Sequence, residues 1–88
     1  PTVICPFFGD QPFWGRRVAA LGAGPQPLPQ RRLSAEALGA AIAAAAGDET
    51  MRARAAAVGA AIRAEDGVRV AVAQIEHAAR AARLPAPV

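Results

Sequence analysis

Apolar residues recur every three to four positions through the second half of the chain, which is the spacing of amphipathic helices. Ser34 and Asp48 precede two of these stretches and are of residue types that cap helix N-termini. Gly47 and Gly67 interrupt the pattern. Residues 34–83 are therefore expected to form three helices, from Ser34 to about Ala46, from Asp48 to about Ala64, and from Val68 to about Arg83.

The first residues follow a different pattern. The segment Thr2–Cys5 is a continuous run of small and β-branched apolar residues that ends at Pro6, which is typical of a buried strand in a parallel sheet. A helix is predicted from about Gln11 to Leu21, with Pro12 in its first turn and Gly22 as its C-terminal cap. No other strong strand pattern occurs, so we expect this strand to pair with a sheet that residues outside the sequence contribute.

The chain divides into three parts on these patterns. The predicted class is α/β but mostly helical, with one short parallel-type strand and about four helices. The parts are a strand–loop–helix unit over 1–22, an extended Pro/Gly-rich connector over 23–33, and the three C-terminal helices over 34–83, followed by an extended tail over 84–88.

Composition limits how much core the chain can build. Its 88 residues are enough for one small domain, and 53% are hydrophobic, but many of these are alanine, which buries little apolar area. The single Cys5 excludes an internal disulfide and fits a reducing compartment. All ten basic residues are arginine, which is typical of a GC-rich genome, and the expected location is a bacterial cytoplasm.

The positive charge suggests nucleic-acid binding, but the arrangement of the residues argues against it. The net charge is +3 with seven acidic residues, and the arginines are scattered among them without interleaved aromatic residues. The pairs Arg16-Arg17 and Arg31-Arg32 leave two interpretations open, contact with a phosphate group or solvated surface charge.

Asp10 and Gln11 are the first candidates for chemistry. They follow the predicted strand and precede a helix, at the edge where ligands bind in open α/β sheets. A carboxylate accepts hydrogen bonds and an amide both donates and accepts them, so the pair suits the hydroxyl groups of a sugar. On the local pattern alone, capping of the following helix is the more common use of such residues, and contact with a ligand is the alternative.

The stretch from Pro6 to Gly15 reads Pro-Phe-Phe-Gly-Asp-Gln-Pro-Phe-Trp-Gly, and Gly22-Ala23-Gly24-Pro25 follows it. This combination resembles the end of the donor-binding signature of GT-B glycosyltransferases in the UDP-glycosyltransferase superfamily, above all the sterol and lipid glucosyltransferases. The resemblance implies that residues 1–88 are the C-terminal part of a Rossmann-like domain that binds a nucleotide sugar.

The resemblance also implies a reaction. Enzymes of this kind transfer a hexose, here expected to be glucose, from a UDP-sugar donor substrate to a sterol, lipid or other apolar alcohol, without a cofactor or metal. Asp10 and Gln11 would bind the donor sugar, and Phe8 and Gly9 would shape the adjoining loop. Phe13 and Trp14 would pack the helix. The expected partners are the nucleotide sugar and the apolar acceptor, with peripheral membrane association through that acceptor and no nucleic acid.

Several parts of such an enzyme do not occur in residues 1–88. The diphosphate-binding stretch His-x-Gly-Gly-x-Gly-Thr is absent, and no catalytic residue is assigned in this segment. His77 is the only histidine and is expected to be a solvated helix residue. The 88 residues alone are therefore expected to be inactive. The alternative is a non-catalytic alanine-rich helical chain that self-associates or binds a protein partner through its apolar surface.

Overall fold

The structure, a computed structural model, describes residues 1–82 and is mainly helical over that range. The predicted helix end at Arg83 and the predicted extended tail 84–88 lie outside the described residues. The helices are α1 (Gln11–Ala20), α2 (Ala35–Gly47), α3 (Glu49–Glu65) and α4 (Gly67–Ala81), with one turn of 3-10 helix at Gln30–Arg32 in the connector.

The predicted N-caps of α2 and α3 are confirmed. The Ser34 Oγ accepts a hydrogen bond from the Ala37 N–H at 3.1 Å, and an Asp48 carboxylate oxygen accepts one from the Met51 N–H at 3.0 Å. Each bond satisfies one of the N–H groups that a first helical turn leaves without a partner. The sequence predicts these boundaries well because capping depends on residues only three positions apart.

The junction between α3 and α4 differs from the prediction by one residue. Gly67 is the first residue of α4 rather than a separator, and Asp66 makes the break with a left-handed φ of +48°. The Asp66 side chain does not cap α4 but pairs with the Arg69 guanidinium at 3.0 Å. Aspartate tolerates this conformation better than most residues, which explains why a glycine is not required at the break.

The C-terminal end of α1 closes as predicted, with Gly22 in the left-handed conformation at φ +74°. The Gly22 N–H donates to the Ala19 carbonyl at 3.0 Å, and the Ala23 N–H donates to the Val18 carbonyl at 3.1 Å. This pair of bonds is the Schellman arrangement, in which the left-handed residue reverses the chain at the helix end. The reversal carries the connector back along the first residues of the chain.

The predicted strand at Thr2–Cys5 is wrong for the described residues, since no strand occurs in 1–82. The segment is linked to the connector by two bonds, from the Thr2 N–H to the Ala23 carbonyl at 3.1 Å and from the Leu28 N–H to the Ile4 carbonyl at 2.9 Å. The two bonds lie two positions apart in the first segment and five positions apart in the connector, and two prolines lie between Ala23 and Leu28. A regular ladder cannot form because the register slips and proline has no N–H.

The most closely packed part of the described chain is this N-terminal unit. Its buried residues are Pro6, Gly15, Ala23 and Gly24. A Cβ atom at Gly15 would lie 2.8 Å from the Pro27 Cβ, so only glycine lets α1 lie this close to the connector. Cys5, at the end of the segment that was predicted to be a buried strand, is a half-buried free cysteine. The motif 6–15 is part of this packed unit, and α1 and the connector hold it in place.

The remainder of the described chain is extended. The radius of gyration is 19.0 Å, whereas a compact domain of this length has about 12 Å. Beyond the junction of α2 and α3, the helices touch one another only sparsely. Large apolar side chains on α3 and α4 stay exposed, including Ile62, Val68 and Ile75 at 61%, 79% and 69%. Within 1–82, no helix combines the length and apolar character needed to cross a membrane.

We expect Gly39→Ala to stabilise α2 by about 1 kcal/mol, because glycine is the poorer helix former and a Cβ at this position meets no atom within 4 Å. Thermal unfolding followed by far-UV circular dichroism of the 88-residue chain measures the change. Gly9→Ala is the matched contrast, since its surroundings are equally open but its φ is +64°. That variant should be destabilised by about 1 kcal/mol instead.

Candidate functional site

The motif 6–15 forms a tight turn that leads into α1. The Gln11 N–H donates to the Phe8 carbonyl at 3.3 Å, which closes the turn over Gly9 and Asp10. Gly9 has a positive φ of +64°, a conformation that other residues adopt only at a cost. Gly9 thus allows the chain to reverse at this turn. Phe8, the other predicted loop residue, is 74% exposed.

The Gln11 side chain fastens the loop. Its Oε1 accepts hydrogen bonds from the Phe7 N–H at 2.8 Å and from the Phe8 N–H at 3.2 Å. Two N–H donors can face only the oxygen of the amide, so its orientation is determined by its partners. Within 1–82 the Gln11 Nε2 makes no hydrogen bond, and the residue is half-buried. The amide therefore presents donors, and no free acceptor, to anything that binds beside it.

Asp10 occupies the N-cap position of α1, but its side chain does not cap the helix. Its Oδ2 instead accepts a hydrogen bond from the Trp14 indole Nε1–H at 2.9 Å. The second oxygen, Oδ1, has no partner among residues 1–82, and the residue is exposed. Helix capping by the side chain of Asp10 or Gln11 is thus ruled out, because each side chain bonds elsewhere. What remains open at this corner is one carboxylate acceptor beside one amide donor.

Trp14 does not pack the helix as expected. The indole is 53% exposed and meets the Phe13 ring edge-on, with ring centroids 5.0 Å apart and an interplanar angle of 83°. Its role in the described chain is to hold Asp10. The sequence signal for this contact is the four-residue spacing, which places the two side chains on one face of the first helical turn. The rings of Phe7 and Phe13 are exposed as well, at 59% and 53%.

An open groove beside residues 6–7 is lined by several positively charged side chains. Arg16 from α1 and both Arg31 and Arg32 from the connector line it together with Pro6 and Phe7. No acidic residue lines the groove, and within 1–82 these arginines form no ion pair. The structure thus brings together three of the four arginines proposed for phosphate contact, while Arg17 does not line the groove.

The other ionisable residues form no comparable constellation. His77 is exposed on α4, as expected for a solvated helix residue. Within the range 1–82, no group of three or more His, Cys, Asp or Glu residues is arranged to hold a metal ion. Asp10 and Gln11 therefore remain the candidate site, with a carboxylate oxygen and an amide nitrogen that form no hydrogen bond within residues 1–82.

The chain is similar to named glycosyltransferases. It is 47% identical over 72 residues, 82% of the chain, to a sterol 3-beta-glucosyltransferase of Arabidopsis thaliana. It is 44% identical over 72 residues to a sterol 3-beta-glucosyltransferase of Emericella nidulans, and 40% identical over 77 residues, 88% of the chain, to the O-mycaminosyltylonolide 6-deoxyallosyltransferase of Streptomyces fradiae.

The chain corresponds to a small part of each of these relatives. It spans 11% of the Arabidopsis protein, 5% of the Emericella protein and 18% of the Streptomyces protein. No protein-family model and no solved structure matches it.

Proposed function

The chain belongs to the UDP-glycosyltransferase superfamily, among its sterol glucosyltransferase-like members, and from this membership we propose that it supplies the donor-sugar corner of a glycosyltransferase. The observation that carries the proposal is the pairing of an open carboxylate oxygen on Asp10 with an open amide donor on Gln11. A sugar hydroxyl both donates and accepts hydrogen bonds. One hydroxyl would therefore donate to the Asp10 Oδ1, and a neighbouring hydroxyl would accept from the Gln11 Nε2.

The proposed donor is a UDP-hexose, with glucose as the transferred sugar, and the proposed acceptor is a sterol, lipid or other apolar alcohol. Support comes from relatives that are named for glucosyl transfer to sterols and from one that is named for transfer of a deoxyhexosyl group. In the reaction, the acceptor hydroxyl attacks the anomeric carbon as the nucleotide leaves. A base from another part of the enzyme takes the proton. Asp10 and Gln11 hold the sugar so that its anomeric carbon lies in line with the attack.

We further propose that the chain is the C-terminal part of the donor-binding domain and packs onto the rest of that domain. Two surfaces support this placement. Within 1–82, the N–H groups of Val3 and Cys5 have no hydrogen-bond partner, although both residues are half-buried, so this edge can extend a neighbouring sheet. The second surface consists of the exposed apolar side chains of α3 and α4, which suit packing against another part of the domain.

Gln11→Glu separates sugar binding from loop support. A glutamate keeps an acceptor oxygen for the Phe7 and Phe8 N–H groups. It replaces the amide donor by a carboxylate oxygen, which faces the sugar hydroxyl where the Gln11 Nε2 would otherwise donate. We expect kcat/KM for the nucleotide sugar in the full-length enzyme to fall about 5-fold, since one hydrogen bond contributes about 1 kcal/mol. The melting temperature should remain within about 2 °C, because the loop bonds survive.

Gln74→Glu in α4 is the matched control, because it makes the same charge change at an exposed helical residue. Its kcat/KM should equal that of the unmodified enzyme. If Gln11→Glu also retains full kcat/KM at an unchanged melting temperature, then Gln11 does not donate to the sugar, and the proposed site loses one of its two residues.

A further inference from the structure

Asp10 has two competing local partners, and the structure shows which of them holds it. In α1, Gln11 uses its backbone N–H in the turn and Pro12 has none, which leaves the Phe13 N–H without a hydrogen-bond partner in 1–82. This third helical N–H is the usual target of an N-cap carboxylate. The Asp10 side chain does not accept a hydrogen bond from the Phe13 N–H. It accepts one from the Trp14 indole N–H instead.

Additional contacts of Trp14 favour its hydrogen bond with Asp10 over the bond from the Phe13 N–H. Besides the indole bond, its backbone N–H donates to the Asp10 carbonyl at 3.2 Å, so the two residues are joined at both backbone and side chain. The edge-on contact with Phe13 limits rotation of the indole. The indole N–H is a donor only, and so it accepts no hydrogen bond from a sugar hydroxyl.

We propose that Trp14 is a positioning residue for the donor sugar: its indole N–H holds Asp10 Oδ2 and thereby keeps Oδ1 directed outward for a sugar hydroxyl. This inference rests on the proposed function, in which Asp10 binds the donor. Without the indole N–H, the carboxylate is free to turn onto the Phe13 N–H and cap α1. The helix would then gain a cap while the sugar loses a contact. Loss of activity without loss of stability distinguishes this role from ordinary packing.

Trp14→Phe in the full-length enzyme tests the inference, because phenylalanine keeps an aromatic ring next to Phe13 and removes the indole N–H donor. We expect kcat/KM for the UDP-sugar to fall about 10-fold, the size of one lost hydrogen bond. The melting temperature should not fall. Trp14→His keeps a ring N–H, and at equal melting temperature it should retain more activity than Trp14→Phe. If Trp14→Phe folds poorly, the two variants are compared by kcat/KM per molecule of folded enzyme.

A double-mutant cycle with Asp10→Ala separates this inference from the proposed function. If Trp14 acts through Asp10, the double variant should have the kcat/KM of Asp10→Ala alone. Two results would overturn the positioning role and leave the Asp10 site in place. In the first, the losses of kcat/KM from the two single variants multiply in the double variant. In the second, the kcat/KM of Trp14→Phe lies within 2-fold of that of the unmodified enzyme. An Asp10→Ala variant with full activity would overturn the proposed site itself, and the inference with it.

Discussion

Asp10→Ala should lower kcat/KM for the nucleotide sugar about 100-fold in the full-length enzyme. A hydrogen bond to a charged group contributes about 1.5–3 kcal/mol, and the carboxylate also orients the sugar for attack. The loss should come with little change in stability, because the Asp10 side chain does not cap α1. Steady-state transfer rates at varied UDP-sugar concentration, together with a melting curve, measure both effects.

Asp48→Ala is the matched control for this variant. Both residues precede a helix, but the Asp48 carboxylate does cap its helix, through the Met51 N–H. The control should therefore lose about 1 kcal/mol of stability and keep its transfer rate, the reverse of Asp10→Ala. Equal transfer rates in the two variants would remove Asp10 from the donor site.

Gly24→Ala should have the largest effect on structure. A Cβ at this position would overlap the carbonyl oxygen of Thr2 and lie 3.0 Å from a methyl group of Val18. Thr2 and Val18 both belong to the packed unit, and the contact with Thr2 is to its backbone, so moving either one to make room costs free energy. We expect the local free energy of opening to fall by about 2–3 kcal/mol. The first residues would separate from the connector that supports the motif 6–15.

Hydrogen exchange measures this opening directly. The Thr2 and Leu28 N–H groups form the two bonds that link the first residues to the connector, and the neighbouring Ala23 N–H closes the end of α1. Exchange of all three should become about 100-fold faster in Gly24→Ala. Gly39→Ala is the control, because the same atom is added where nothing lies within 4 Å. Unchanged protection at these three amides would show that the contact between the first residues and the connector does not maintain the unit.

The sequence was most informative where structure depends on near neighbours. Ser34, Asp48 and Gly22 each act over a few residues through a capping hydrogen bond or a left-handed backbone, and all three predictions are confirmed. The strand prediction at Thr2–Cys5 failed for the described residues because pairing is a tertiary property. An apolar run indicates that a strand is favoured, but it does not supply the partner.

At the candidate site, too, the sequence predicted some features and not others. Its location came from the motif, while the partners of its side chains came from the structure. Capping of α1 was a reasonable local expectation for Asp10, and it is wrong because an indole four residues later takes the carboxylate. The bonding of Gln11 to the loop behind it depends on the reversal at Gly9, which the spacing of residues alone does not define.

The most direct test of the central claim, that Asp10 binds a hydroxyl of the transferred sugar, uses donors that each lack one sugar hydroxyl. The full-length enzyme and its Asp10→Ala variant are compared with each deoxy donor. At one position, the unmodified enzyme should discriminate against the deoxy donor by about 100-fold, and Asp10→Ala should discriminate by less than about 3-fold. Discrimination that is equally strong in both enzymes at every hydroxyl would contradict the claim.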